Sequence, residues 1–380
     1  MKVPPLVLSS VAALILSGGM PAGAAPSLPA LVPEFAPPIQ QMHRRVASQG
    51  HLVEFDPPGT IQQNSSQCSP YCGSEPYGIN DAGLIVGFFV DQNVVSHAYI
   101  EQKGLFTSFD APGAGSGQGL DQGTTACAIS DNGTIVGQFA DANSVIHGFI
   151  RSPLGFFTQV DAPGAGTGPG QGTYVTNVNL AGATAGFYFD ANFVSHSFER
   201  SAAGTLVEFD PPGATNSYPC DLCLNRAGAL AGTFQDSSGM NHGYVREPSG
   251  KLVQINVPGA QQGSGAGTNV GGLNLEGVSA GTYYTKAGTL GGYLRYPDGH
   301  FDTFAGPDGG PDVLGLTIDD TLTGNTAGGT GFYRAANGKI AQFTAADGVE
   351  TLPYGLNRSN EVYGAYVDST GLNHSFLWTP

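Results

Sequence analysis

From about residue 52 onward, apolar residues come in short bursts separated by Gly, Asn, Asp, Ser and Pro, and no burst keeps a helical period. One stretch shows the grammar. Tyr77-Gly78-Ile79-Asn80 leads to a turn at Asp81-Ala82-Gly83, then to an apolar run over 84–90. A turn at Asp91-Gln92-Asn93 leads to 96–101, and a tight turn at Lys103-Gly104 leads to 105–110. Gly, Asn and Asp tolerate the positive φ that tight hairpins need, so this reads as four strands of an antiparallel meander. Apolar residues occupy both parities, as in Leu84-Ile85-Val86-Gly87-Phe88-Phe89. A strand with one wet face alternates, so the pattern predicts sheets covered on both faces.

The meander repeats. One phrase occurs as LVEFDPPGT (52–60), LFTSFDAPGA (105–114), FFTQVDAPGA (156–165), LVEFDPPGA (206–214) and LVQINVPGA (252–260), then in weaker form as HFDTFAGPDG (300–309) and KIAQFTAADG (339–348). A second phrase, N-x-x-G-x-x-x-G-x-aromatic, places a landmark glycine at Gly87, Gly137, Gly186, Gly232, Gly281, Gly324 and Gly364. The span of 277 residues over six steps gives about 46 per unit, the length of a propeller blade. The predicted fold is all-β: a seven-bladed β-propeller of four-stranded antiparallel blades starting near residues 77, 126, 174, 220, 270, 314 and 353. The seventh unit ends without a fourth strand, and 52–56 is a fourth strand without a blade. The expectation is that strand 52–56 completes the last blade and removes both open edges.

A coupled pair runs through the repeat. The third strand opens with His-small-aromatic at His97, His147, His196, His242 and His374, and the fourth ends in Asp110, Asp161, Asp210 or Asn256. Antiparallel partners sum to a constant about their turn, so each His should face the acid or amide across its hairpin. Units five and six lack the His and carry Ala305 and Thr344 in place of the acid. For His374 the remaining acid is Asp56, so ring closure and this pairing stand or fall together. Asp91, Asp141, Asp190, Asp236 and Asp368 also precede each His by six residues, whereas Thr285 and Gly324 stand there in the departing units. Five histidines with acidic neighbours invite a metal or acid–base reading. A pair repeated once per unit around a ring cannot converge on one substrate, so the structural reading is preferred.

The phrases Gly78-Ile79-Asn80-Asp81-Ala82-Gly83-Leu84-Ile85-Val86-Gly87, His147-Gly148-Phe149 and Phe109-Asp110-Ala111-Pro112-Gly113 resemble the consensus of the HAF family of extracellular bacterial repeat proteins, named for a His-Ala-Phe signature. The resemblance spans about residues 51–380. It implies secretion and a propeller-like β fold, and it carries no agreed activity and no catalytic residues.

Composition narrows the partners. The 380 residues hold 14 basic and 30 acidic side chains, a formal charge of −16. That balance argues against nucleic acid and against anionic lipid surfaces. Residues 1–24 read as a signal peptide: Lys2, an apolar stretch from Leu6 to Leu16, then Ala22-Gly23-Ala24. The apolar run is too short to span a bilayer, so no membrane span is expected after cleavage. Residues 25–50 read as a Pro/Ala-rich linker, and 51–380 as the propeller. The expected location is extracellular or periplasmic, and the expected state a monomer. Of the cysteines, Cys220 with Cys223 and Cys68 with Cys72 suggest local disulfides. Pairing of Cys72 with Cys127 is the alternative, and one thiol is left over either way.

No Ser-His-Asp order, HExxH or defined carboxylate pair stands out, and Gly115-Ser116-Gly117-Gln118-Gly119 has no Lys and no helix to make a phosphate loop. No cofactor or metal is expected. The longest connections follow the fourth strand, and the non-repeating residues near them, Tyr71, Glu75, Tyr77, Asp121, Tyr174, Tyr218, Asp221 and Asp312, are the candidate ligand-face residues. The functional expectation is a secreted, non-enzymatic binding or structural scaffold for a glycan, polypeptide or surface component. The alternative is a polysaccharide-active hydrolase or lyase at the loop face or channel mouth.

Overall fold

A computed structural model describes residues 43–46, 50–64, 68, 72–117, 122–345 and 347–380. The expected signal peptide, residues 25–42 of the expected linker, and the candidates Tyr71 and Asp121 lie outside the described residues. The described chain is all-β and folds as consecutive meanders. The first is β3 (Ser74–Ile79), β4 (Ile85–Val90), β5 (Ser96–Gln102) and β6 (Leu105–Phe109). The second is β7 (Gly123–Ile129), β8 (Ile135–Ala140), β9 (Ile146–Arg151) and β10 (Phe157–Val160), and the third is β11 (Gly172–Val178), β12 (Thr184–Phe189), β13 (Ser195–Arg200) and β14 (Leu206–Phe209). Single parallel bridges, Ser96 to Gly123 and Ile146 to Gly172, link these three edge to edge. Three separate four-stranded sheets follow: β15 (Ala214–Leu224) to β18 (Leu252–Ile255), β19 (Thr268–Leu273) to β22 (Phe301–Phe304), and β23 (Pro311–Leu316) to β26 (Ile340–Phe343).

The last sheet draws on both ends of the chain. β27 (Gly348–Leu356), β28 (Val362–Asp368) and β29 (Asn373–Thr379) are continued by β2 (His51–Phe55), antiparallel to β29, with Leu52 opposite Trp378 and Glu54 opposite Phe376. β1 (His43–Val46) then pairs with β2 as a fifth strand. This corrects the reading of 25–50 as wholly linker. Pairing with β29 leaves the other edge of β2 open, and such an edge templates any extended segment beside it. The first sheet packs on this last one, with β3 against β27, β28 and β29.

Burial on both faces, expected for all strands, holds for the inner ones and fades outward. Every residue of β3 and β4 is buried, whereas β6 is mostly exposed. The aromatic residue of each His-small-aromatic phrase, or of its substitute, lies in the sheet-to-sheet core: Tyr99, Phe149, Phe198, Tyr244, Tyr293, Phe332 and Phe376 are all at most 1% exposed.

The landmark glycines answer to crowding on the innermost strand. A Cβ added at Gly186 would sit 1.9 Å from the Tyr174 carbonyl oxygen, and one at Gly364 would sit 2.1 Å from the Leu352 carbonyl oxygen and 2.8 Å from the Phe376 ring. Any side chain there would push the first and second strands apart. Gly186→Ala is therefore expected to cost more than about 3 kcal/mol in chemical denaturation. Gly213→Ala, at a turn with φ +85° and nothing within 4 Å of the added carbon, should cost only about 1–2 kcal/mol.

Candidate functional site: the axial channel

The histidines form a repeated clamp. Nδ1 of His97, His147, His196 and His374 lies 3.0, 2.8, 2.7 and 2.8 Å from a carboxylate oxygen of Asp110, Asp161, Asp210 and Asp56, and His242 Nδ1 lies 2.8 Å from Asn256 Oδ1. On the other side of each ring, Nε2 lies 3.0–3.9 Å from Asp91, Asp141, Asp190, Asp236 or Asp368. Those aspartates already accept backbone N–H groups in the turn, as Asp91 does from Asn93 and Val95. Each imidazole also lies against the aromatic ring two residues beyond the landmark glycine. Phe139, Tyr188, Phe234 and Tyr366 stack on their histidines at 4.9–5.1 Å between centroids, and Phe89 lies tilted at 5.3 Å from His97.

That third partner is the aromatic position of the second phrase, and only the fold brings it against the His. The departing units explain themselves. In unit five the Tyr283 ring fills the space where a Cβ at Gly291 would lie, and Thr285 caps the turn. In unit six the hairpin is shorter: Thr326, not Gly324, caps the turn by accepting the Thr330 N–H.

The inner strands come together, and the turns that follow them line one cavity. Each carries a β-bulge at one register position, which lifts one extra residue out of the ladder: Tyr77, Cys127, Thr176, Gly271, Leu314 and Tyr354. One apolar cluster joins Tyr77, Cys127 and Tyr174 with Tyr218 and Tyr354 at its margin, so several sheets meet there. In β15 the bulge is enlarged by the segment 220–223, closed by a Cys220–Cys223 disulfide. Leu222, at φ 58°, packs against a cluster that includes Ile79 and Tyr363 and also against one that includes Ala128 and Val175. The segment therefore reaches across the channel. Cys68 bonds Cys72, and the remaining thiol, Cys127, is buried and donates to Gln138 Oε1 at 2.9 Å.

The described candidates sit on strands rather than in the long connections: Glu75 and Tyr77 on β3, Tyr174 on β11, Tyr218 and Asp221 on β15, and Asp312 on β23. The inner strands begin earlier than the hydrophobic bursts suggested, because their first residues are polar ones facing neighbours instead of solvent. Glu75 is 2% exposed and accepts from Tyr354 Oη at 3.1 Å and Asn373 Nδ2 at 2.9 Å. Burial pushes its carboxyl up to about 7 against the pull of the Tyr77 and Tyr354 hydroxyls. Burial likewise raises Asp221 to about 7, and raises Asp312 to about 6 against a hydrogen bond from Thr282.

A cavity of about 230 Å³ opens at the far end of the inner strands, lined by the first turn of every meander and floored by Asp221 and Leu222. The expectation placed a site at the loop face or the channel mouth, and the described long connections do not line this cavity. Those connections enter the inner strands at the opposite end. Around the mouth, the Asn that opens the second phrase accepts backbone N–H groups of its own turn and donates Nδ2 to the carbonyl of the next one. Asn80 bonds Ser130, Asn179 bonds Asn225, Asn225 bonds Asn274, Asn274 bonds Thr317, and Asn357 bonds Asn80, at 2.9–3.3 Å. Ser130 and Thr317 stand in for Asn in their units.

No protein-family model matches the chain, and no curated protein matches its sequence. Solved structures do. Virginiamycin B lyase from Staphylococcus aureus superposes with a TM-score of 0.57 at 15% identity, covering 87% of this chain and 99% of that one. A streptogramin B lyase gives 0.53 at 18% identity, covering 86% and 97%. The lectin BP39L from Burkholderia pseudomallei gives 0.50 at 9% identity, covering 78% and 94%. At these identities the likeness shows the fold alone: an all-β, propeller-like arrangement of antiparallel sheets.

Buried Glu75 and half-buried Asp221 and Asp312 set a pH dependence. A carboxyl whose folded pKa stands above its unfolded value stabilises the fold most at low pH, and that stability drains as pH rises through the folded value. Glu75, Asp221 and Asp312 act this way, and so do His97 and His374. The Asp110 hydrogen bond raises His97, and the Asp56 bond raises His374 against its burial. The turn aspartates Asp91, Asp190 and Asp368 are lowered by backbone N–H donors against partial burial, so their stabilisation is lost only in stronger acid. Thermal unfolding should therefore show greatest stability near about pH 5 and a fall toward pH 8. Asp221→Asn should flatten that fall, raising stability at pH 8 by on the order of 3 kcal/mol.

Proposed function

We propose that the chain is a secreted, seven-bladed β-propeller of the HAF repeat kind, closed by strand 52–56 in the last blade and serving as a binding scaffold without catalysis. The count is supported by the meanders and by the repeated phrases. Closure is supported by the pairing of β2 with β29, by the Asp56–His374 contact, and by the Asn357 bond that links the last turn to the first. Export is supported by the signal-like residues 1–24 and by two disulfides.

One observation carries the binding reading. The repeated histidine chemistry is engaged within the sheets, whereas Tyr77, Tyr174, Tyr218 and Tyr354, which differ from unit to unit, meet in one cluster among the inner strands. The histidines are clamped, and Glu75 is closed in by Tyr354 and Asn373. Among the described residues no group of three His, Cys, Asp or Glu side chains is placed to hold a metal ion. A site built from unlike residues around one axis suits recognition of a single extracellular ligand, for which a glycan or polypeptide is the class proposed. Hydrolysis or lysis would need a carboxyl open to substrate and poised with a partner, and the aromatic-walled acid here, Glu75, is 2% exposed.

The test is a glycan and peptide array on the mature protein, followed by a turnover assay on every hit. Retention of ligand without chemical change is the expected result. Product formation from any hit would overturn the scaffold reading.

A further inference from the structure

Asp221 is the one acidic side chain on the cavity floor, and the segment that carries it exists only in β15, where the bulge has grown into a disulfide-closed loop. No hydrogen bond from a described residue reaches its carboxylate, and it lacks the Tyr and Asn donors that hold Glu75. The lining about it mixes the polar residues of the turns with apolar side chains, Ile79, Ile129, Leu224 and Leu273 below and Leu275 and Ile318 at the rim, 38% and 41% exposed. An anion in such a place is neutralised either by a proton or by a cation. Two described cations line the cavity and neither is bonded to Asp221: Arg358 is turned to Asp81 at 3.3 Å, and Arg226 is exposed at the rim.

We propose that the channel mouth binds a small organic ammonium ion with an apolar body, its charge set on the Asp221 carboxylate and its body on the leucine and isoleucine walls. The inference rests on the binding-scaffold reading and names the ligand chemistry of its cavity. A single carboxylate among apolar walls does not suit a metal ion, which needs several oxygen or nitrogen donors. An anionic ligand would meet Asp221, Asp81 and Asp131 in a chain of net charge −16. The raised titration of Asp221 agrees with this assignment, because burial alone is its cause. The other titratable groups that face it are Cys127 and Tyr363, both held protonated by burial, with Asp81, Asp131, Arg226 and Arg358 at the rim. Binding the ammonium should therefore displace a proton from Asp221 near neutral pH.

Isothermal titration of the mature protein with cyclohexylmethylammonium chloride, and with cyclohexylmethanol as its neutral counterpart, tests this. At pH 8 the amine should bind at least about tenfold tighter than the alcohol. That preference should disappear at pH 5, where Asp221 is protonated. Asp221→Asn should remove the preference at pH 8 and leave the alcohol unchanged, and the pH series on the unaltered protein gives the same answer without any variant. Equal affinity for amine and alcohol at pH 8, no binding of either, or a preference that survives Asp221→Asn would each overturn the proposal. Array hits without an ammonium preference would overturn this site and leave the scaffold reading standing, and turnover of an array hit would do the reverse.

Discussion

An unpaired strand edge is the constraint on which this structure depends. Antiparallel sheets wrapped about an axis have a beginning and an end, and each end exposes a row of N–H and C=O groups that invite other chains. Here the strand nearest the start of the repeat region, His51–Phe55, is hydrogen-bonded along its length to Asn373–Thr379. The same seam holds Asp56 against His374, Ser74 against both Asp56 and Ser375, and Asn357 against the Asn80 carbonyl. In the reading proposed, these contacts turn a linear array into a ring. On that reading every inner strand has two neighbours, which accounts for their burial on both faces.

The ring then explains the repeat. Strands meeting at an axis approach more closely there than at the rim, so the second strand of each unit needs a residue without a side chain where it passes the first. The His clamp does the outer work: it holds the third strand to the fourth and to the turn before it, and it rests on an aromatic side chain of the second strand. Both devices repeat because every unit faces the same crowding. What that crowding does not dictate is the rest of the inner strand, and there the units differ: Glu75, Thr125, Tyr174, Tyr218, Asn269, Asp312 and Leu352 occupy one register position. Function is free to vary where packing is silent.

Much of the fold was legible because it is periodic. Hairpin symmetry was enough to set His97 opposite Asp110 and to leave Asp56 for His374. The hairpin of Leu322–Thr326 with Gly331–Arg334 escapes because a shortened loop shifts the count, so that Thr326 acts where the spacing points to Gly324. The inner strands were started too late, since their first residues, Ser74 and Glu75 among them, are polar and resemble a connection. Nothing in their polarity tells that they are buried, because the partners that satisfy them, Asp56, Ser375, Tyr354 and Asn373, lie some 300 residues away or on the far side of the seam. The strand His43–Val46 carries no alternation and exists through its pairing with β2. The cavity lies among the short turns, and nothing in the sequence places it there, because a bulge that widens into a loop is a local insertion whose direction only the packed sheets define. The residue that matters most there, Asp221, was nevertheless singled out as one that breaks the repeat.

Native-state hydrogen exchange at the amides of residues 52–55 tests the ring most directly. If the two ends of the chain are one sheet, these amides exchange only through global unfolding, with the same free energy as those of Val362–Asp368 in the middle of that sheet. Exchange through local fraying, with residues 52–55 opening at far lower free energy while Val362–Asp368 stays protected, would contradict the account.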